Sequence, residues 1–137
     1  MRILAIDHGT VRMGIALSDE LGMIAHPLAF IPAEPFSDFL AQLKVLLKEK
    51  EVQQVLIGMP RNMDGSYGPA ALKVQEFAAV LKEAIVLPIK MWDERLTSTQ
   101  ANRFMAEAGT KKHARKGKVD GMAAAILLQS YLDRQSL

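Results

Sequence analysis

Apolar residues are spaced in two ways along the chain. Positions 2 to 7, 12 to 18 and 23 to 31 form short apolar-rich runs, separated by turns that carry Gly9 and "DELG". Such runs predict three strands in a meander. From Pro35 to about Lys50 the spacing changes, and Phe36, Phe39, Leu40, Leu43, Leu46 and Leu47 recur at helical intervals. "QQVLIGM" then reads as a buried strand, residues 70 to 83 as a second helix built on Val74, Phe77, Ala78 and Leu81, and "VLPIKMW" as a further strand. Thr97 and Gln100 stand in capping-box spacing at the head of a helix whose inner face is Ala101, Phe104, Met105 and Ala108. A last helix, about 119 to 134, is apolar almost all round and rich in small residues, which predicts close packing on the sheet.

The order is β-β-β-α-β-α-β-α-α, three antiparallel strands followed by parallel ones reached through helical crossovers. The expected fold class is α/β, a mixed five-stranded sheet with helices on both faces. No repeat or low-complexity tract interrupts the 137 residues, so one domain spanning 1–137 is expected. A chain of this length buries roughly 68% of its unfolded surface and needs no staple. Seventeen Lys and Arg against fifteen Asp and Glu leave a net charge of only +2, so affinity for a polyanion depends on where the cations sit. The absence of cysteine excludes disulfides, thiolate metal sites and a Cys nucleophile. His8, His26 and His113 show no ligand spacing, so zinc is not indicated. The opening "MRILAID" is too quickly acidic for a signal peptide, and no apolar run reaches the ~20 residues that span a bilayer. A cytoplasmic protein without membrane contact is expected.

Four stretches carry a resemblance. "DHGTVRMGIALSD", "GMPRNMDGSYGP", "WDERLTS" and "KGKVDGMAAAILLQSYL" resemble, in order and across nearly the whole chain, the signature blocks of the YqgF (RuvX-like) family of the ribonuclease H-like superfamily. That family is described as Holliday junction resolvases and as nucleases that mature the small-subunit ribosomal RNA precursor. The resemblance implies a ribonuclease H-like sheet with its first strand central and acids gathered near that strand's end. It also implies a phosphodiester-cleaving enzyme acting on precursor 16S rRNA, with the ribosomal precursor particle as a partner, or on branched DNA.

The residues themselves point to three acidic positions. Asp7 follows Ile3 and Ala5 on one strand face and emerges where the strand ends; the plain alternative is a carboxylate that accepts turn amides. Asp120 falls in the first turn of the last helix, at the head of the apolar face Ala124, Leu128 and Tyr131, where the helix dipole alone would also favour an acid. In "WDER", Asp93 continues the face of Ile89 and Met91 and Glu94 that of Lys90 and Trp92. A bulge would exchange them, and periodicity does not choose. The family pattern carries its acid onto Glu94, with Asp93 in reserve and Arg95 placed to hold whichever acid is unused.

Converging carboxylates repel unless a cation stands among them, and oxygen-only ligands suit Mg²⁺ or Mn²⁺. Two such ions held by Asp7, Glu94 and Asp120 would serve phosphodiester hydrolysis. The loop after the fourth strand carries Arg61, Asn62, Asp64 and two glycines, suited either to a phosphate backbone or to simple turn chemistry. Lys111, Lys112, His113, Arg115, Lys116 and Lys118 crowd into eight residues next to Asp120, where phosphate contact is the natural use of such cations. Arg12 and Arg95, close in sequence to the acids, complete the candidate nucleic-acid contacts. Two other classes compete. "DHGT" followed by "RMG" also resembles the first phosphate loop of the actin and sugar-kinase superfamily, whose members clasp ATP between two domains where this length supplies one. A non-catalytic nucleic-acid-binding protein could use the same scaffold. Junction cleavage would require two active sites and hence a homodimer.

Overall fold

The computed structural model describes residues 1–62, 64–96, 103 and 121–135. Its elements are β1 (Ile3–Asp7), β2 (Arg12–Ser18), β3 (Ala25–Pro32), α1 (Phe36–Glu49), β4 (Gln54–Met59), α2 (Pro69–Ala84), β5 (Ile89–Asp93), a 3₁₀ turn (Glu94–Leu96) and α3 (Met122–Gln135). They form one five-stranded sheet in the order β3-β2-β1-β4-β5, with β1 at its centre. β1 to β3 pair antiparallel, while β4 and β5 are added parallel.

Strand alternation splits the core into two layers. Leu4, Ile6, Ile15, Val55 and Ile57 face α1 and α2, where Phe39, Leu43, Phe77 and Leu81 close over them. Ile3, Ala5, Ala16 and Leu56 face the other way, onto α3. The α3 side is made of smaller residues, and Ala124 and Ala125 of the helix are fully buried against it. Small side chains on both partners let the helix axis approach the sheet, as the composition of the last helix predicts.

Boundaries differ from the expectation where local chemistry intervenes. β3 begins at Ala25 rather than 23, because the Asp19 carboxylate accepts hydrogen bonds from the Met23 and Ile24 amides at 2.7 and 3.0 Å and holds them in the turn. β5 begins at Ile89 because Val86 is fully exposed and ladder pairing to β4 starts beyond Pro88. The last helix begins at Met122, not near 119: Gly121 has a positive φ of 78°, and its carbonyl accepts the amide of Ala125 at 2.8 Å. Asp120, the run from Lys111 to Lys118 and, apart from helical Arg103, the helix expected from Thr97 lie outside the described residues. Among the described residues no helix is long and apolar enough to cross a membrane.

Gly121 also fixes where α3 meets the sheet. A Cβ there would stand 2.5 Å from the Ile15 carbonyl oxygen and 2.6 Å from that of Leu28, and neither backbone atom can step aside. Gly121→Ala is expected to cost about 2–4 kcal/mol through overpacking and left-handed strain together. Gly22→Ala, whose Cβ would come only within 3.2 Å of one carbonyl, is the milder comparison. Urea unfolding of the two variants measures the difference.

Candidate active site

Asp7 closes the central strand on the α3 face, and glycines stand on either side of it. Gly14 is its partner on β2, and a Cβ there would lie 3.3 Å from the Asp7 Cβ. On β4, whose Ile57 pairs with Ile6, the following residue is Gly58. The two missing side chains leave a niche beside the Asp7 carboxylate. Glu94 enters it from the 3₁₀ turn that follows β5. Its Oε1 lies 2.7 Å, and its Cγ 3.2 Å, from where a Gly58 Cβ would be, with Leu127 of α3 at 2.9 Å on the other side. Glu94 thus occupies the space that Gly58 leaves empty.

The charges in this niche oppose one another. Burial raises the Asp7 carboxyl above its ordinary value, partly offset by the neighbouring His8. Glu94 is raised by burial and then by the negative charges of Asp7 and Asp93. His8 packs its ring on Phe77, with centroids 5.0 Å apart, and burial, more than any neighbouring charge, lowers its pKa. Asp7, Glu94, Gly58, His8, Thr10 and Lys73 line a cleft of about 340 Å³. A larger hollow of about 580 Å³ between β3 and α1 is mostly apolar and holds no pair of carboxylates, so the chemistry selects the smaller one.

Asp93 points elsewhere. It shares a second cleft with Met59, Arg61, Tyr67 and Met91, on the opposite side of the strand from Trp92, which packs with the α3 layer. Its carboxylate accepts the Arg95 amide at 2.9 Å and binds the Arg95 guanidinium at 2.7 Å, with Arg61 at 3.5 Å. These donors, Arg95 first, hold it below the usual carboxylate range. Arg61 continues into the loop, donating to the Gly65 carbonyl and lying 4.5 Å from the Tyr67 ring centroid. Asn62 exchanges hydrogen bonds with Ser66 and Gly65, and Asp64 accepts from Ser66.

The structure therefore brings Asp7 and Glu94 together and sets Asp93 apart. The arginines expected to meet nucleic acid are differently placed: Arg61 and Arg95 clasp Asp93, and Arg12 lies at the start of β2 with its guanidinium 5.1 Å from the Phe30 ring centroid. Asn62 holds its own loop. Among the cleft residues that escaped the sequence reading as site residues are Gly58, Thr10 and Lys73, and Gly14, beside Asp7 on β2, escaped it as well. Gly58 had a signal, since a lone glycine inside a strand run often marks close approach of another group. Lys73 had none, being one polar position among several on an amphipathic helix.

A central strand ending in an acid, in a sheet of order β3-β2-β1-β4-β5, with a second acid turned toward it from beyond the outer parallel strand, defines the ribonuclease H-like class. Two solved structures share this fold across almost the whole chain. Thermus thermophilus RuvC in complex with a Holliday junction substrate superposes with TM-score 0.54 at 18% identity, covering 99% of this chain and 96% of that one. Fowlpox virus resolvase with Holliday junction DNA gives 0.59 at 13%, covering 98% and 99%. The chain belongs to the RuvX family, described as Holliday junction resolvase, whose model matches residues 1–134. Among similar proteins, one from Halothermothrix orenii is 42% identical over 136 residues, 99% of this chain and 97% of its own. One from Halalkalibacterium halodurans is 45% identical over 140 residues, 100% and 99%. Both bear the name "Putative pre-16S rRNA nuclease".

Raised carboxyls make a prediction about the metal-free protein. The folded state binds protons at Asp7 and Glu94 more tightly than the unfolded chain does, so stability falls as pH rises from the ordinary carboxylate value through the raised one, and stays lower above it. Asp7→Asn removes one of the two charges. In a chelator at neutral pH the variant is expected to melt roughly 2–5 °C above wild type, a gain that disappears below the ordinary carboxylate range. Calorimetry across pH measures this; a lower melting point for the variant at neutral pH would mean that Asp7 serves instead as acceptor for the turn amides.

Proposed function

We propose that the protein is a metal-dependent endonuclease that hydrolyses phosphodiester bonds in the precursor of 16S ribosomal RNA, acting in the cytoplasm during ribosome biogenesis. The observation that carries this reading is the pair of facing carboxylates, Asp7 and Glu94, in a niche cleared by two glycines. The names of the relatives support the RNA substrate. The niche suits a hard divalent cation: its two carboxylates offer oxygen donors, burial and then the charge of Asp7 raise Glu94, and a counter-charge would relieve that repulsion. In this reading Asp7, Glu94 and Asp120 hold one or two Mg²⁺ or Mn²⁺ ions. Bound there, the metal supplies Lewis acidity and a reactive water at neutral pH.

The chain's own residues have distinct tasks. Asp7, held by the central strand, presents its carboxylate in a fixed place. Glu94 reaches the same place on a longer stem, and Asp93, clamped by Arg95 and Arg61, anchors the turn from which Glu94 projects. The substrate strand enters the cleft that Thr10 and Lys73 help to line. In the same reading Lys111, Lys112, Arg115, Lys116 and Lys118 make further phosphate contacts. The family description favours a second substrate, a four-way DNA junction, which would require a dimer with two such clefts.

The deciding experiment is a cleavage panel with Mg²⁺ or Mn²⁺ on precursor 16S rRNA, an unrelated single strand and a four-way DNA junction. Cleavage of the precursor is expected. Preferential junction cutting by a dimer would support the second substrate, and binding without cleavage would reduce the protein to a nucleic-acid-binding scaffold. Glu94→Gln should lower turnover at least about 100-fold, as several kcal/mol of lost charge stabilisation imply. Asp93→Asn should cost less turnover but about 1 kcal/mol of stability, since it loosens a partly exposed ion pair. Loss of turnover confined to Asp93→Asn would reverse the assignment.

Gly58 offers a separate check. Gly58→Ala puts a methyl group where the Glu94 carboxylate and the tip of Leu127 lie, and both can rotate away at a cost of about 1 kcal/mol. The fold should survive while turnover falls roughly 10–100-fold through displacement of Glu94. Unchanged turnover at matched stability would show that Glu94 need not occupy this niche.

A further inference from the structure

We propose that Lys73 is a substrate-binding residue of the cleft, gripping a backbone phosphate of the nucleic-acid strand beside the bond to be cut; this rests on the nuclease reading. The contact follows from how the cations at this end of the sheet are distributed. Arg61 and Arg95 are joined to Asp93, and Arg61 is joined to the Gly65 carbonyl as well. Arg12 is stacked on Phe30. Lys73 and His8 are the basic residues lining the Asp7–Glu94 cleft, and the His8 ring is packed on Phe77 with centroids 5.0 Å apart. Lys73 is therefore the exposed, flexible basic side chain of the cleft among the described residues.

Lys73 stands in the second turn of α2, exposed, with Val74 beside it buried in the core. Its position on the helix is thereby set by packing, while its ammonium remains free to reach outward. Among the described residues no carboxylate lies within ion-pair distance of it, even though the cleft contains two.

A lysine that shares a cleft with two acids yet pairs with neither keeps its charge available for an anion that enters the same space. A phosphodiester is such an anion. Two carboxylates repel it, and a cation lining the same cleft offsets that repulsion as the strand approaches. The compact ammonium, with three rotatable donors, can follow a phosphate oxygen without requiring one fixed geometry. The identity of the base is left unread, as befits a contact made to the backbone.

The test separates this contact from catalysis by measuring binding where cleavage cannot occur. A fluorescently labelled single-stranded oligoribonucleotide is titrated, without divalent metal, into Glu94→Gln protein and into the same protein carrying Lys73→Ala or Lys73→Arg. Lys73→Ala is expected to weaken binding roughly 3–10-fold at low salt and to flatten the log K against log salt slope by about 0.7. Lys73→Arg should restore both. In otherwise wild-type protein with Mg²⁺, Lys73→Ala should raise KM by a similar factor and leave kcat within about twofold, the pattern of lost uniform binding.

Unchanged affinity and slope in Lys73→Ala would overturn the assignment. So would an equal loss in Lys73→Arg, or a lowered melting temperature with the salt slope intact, since each marks a structural role. Failure of the nuclease reading looks different. If wild-type protein cleaves none of the panel but its binding still shows the Lys73-dependent slope, the phosphate contact stands and the hydrolytic activity does not.

Discussion

Two carboxylates held half-buried in one niche are the constraint around which this end of the molecule is organised. Each would be less costly in water, and Glu94 pays for the charge of Asp7 as well as for its own burial. Such an arrangement persists only because the surrounding fold is stable enough to enforce it. The α1–α2 layer, with fully buried Phe39, Leu43 and Leu81, supplies much of that stability on the side of the sheet away from the acids. The α3 layer then has to stop short of the strand ends, and it does so through Leu127, whose tip borders the space that Glu94 fills.

The adjacent residues Asp93 and Glu94 show how one backbone direction serves two purposes. They leave the strand end toward opposite faces. One carboxylate meets two guanidinium groups and an amide, which stabilise its charged form; the other meets another acid, which destabilises it. The paired acid ties the β4–α2 loop to the end of β5 through Arg61, and the unpaired one is left in a state that a cation would relieve. Perturbation of opposite sign in these neighbouring residues is what makes Glu94, and not Asp93, the candidate functional acid.

Packing also accounts for the redistribution of the basic residues. An arginine presents five donors in a planar fork, and in the loop after β4 that fork finds carbonyl and carboxylate acceptors within the protein itself. Arg61 and Arg95 are thereby drawn into holding the chain together. Lys73 sits exposed on α2 and lines the cleft, and among the described residues no carboxylate lies within ion-pair distance of it.

Much of the fold was legible in the sequence because burial imposes periodicity directly: the alternation at Ile3, Ala5 and Asp7 and the helical spacing of Phe39, Leu43 and Leu47 follow from which faces are covered. The candidate position of Asp7 was legible for the same reason, being the polar end of an apolar face. The choice between Asp93 and Glu94 was not, because periodicity ends where the strand does, and a turn residue takes its direction from backbone angles that no pattern records. Likewise, nothing local marks Arg61 as a loop clasp, Lys73 as the cation of the cleft, or Gly121 as the contact point of α3. Each depends on a partner distant in sequence: Asp93 for Arg61, Asp7 and Glu94 for Lys73, Ile15 and Leu28 for Gly121. The sequence by itself determined which faces are buried and which strand end carries an acid; only the tertiary structure decided which charges meet, because charge pairing depends on distances that are set once the sheet has been assembled.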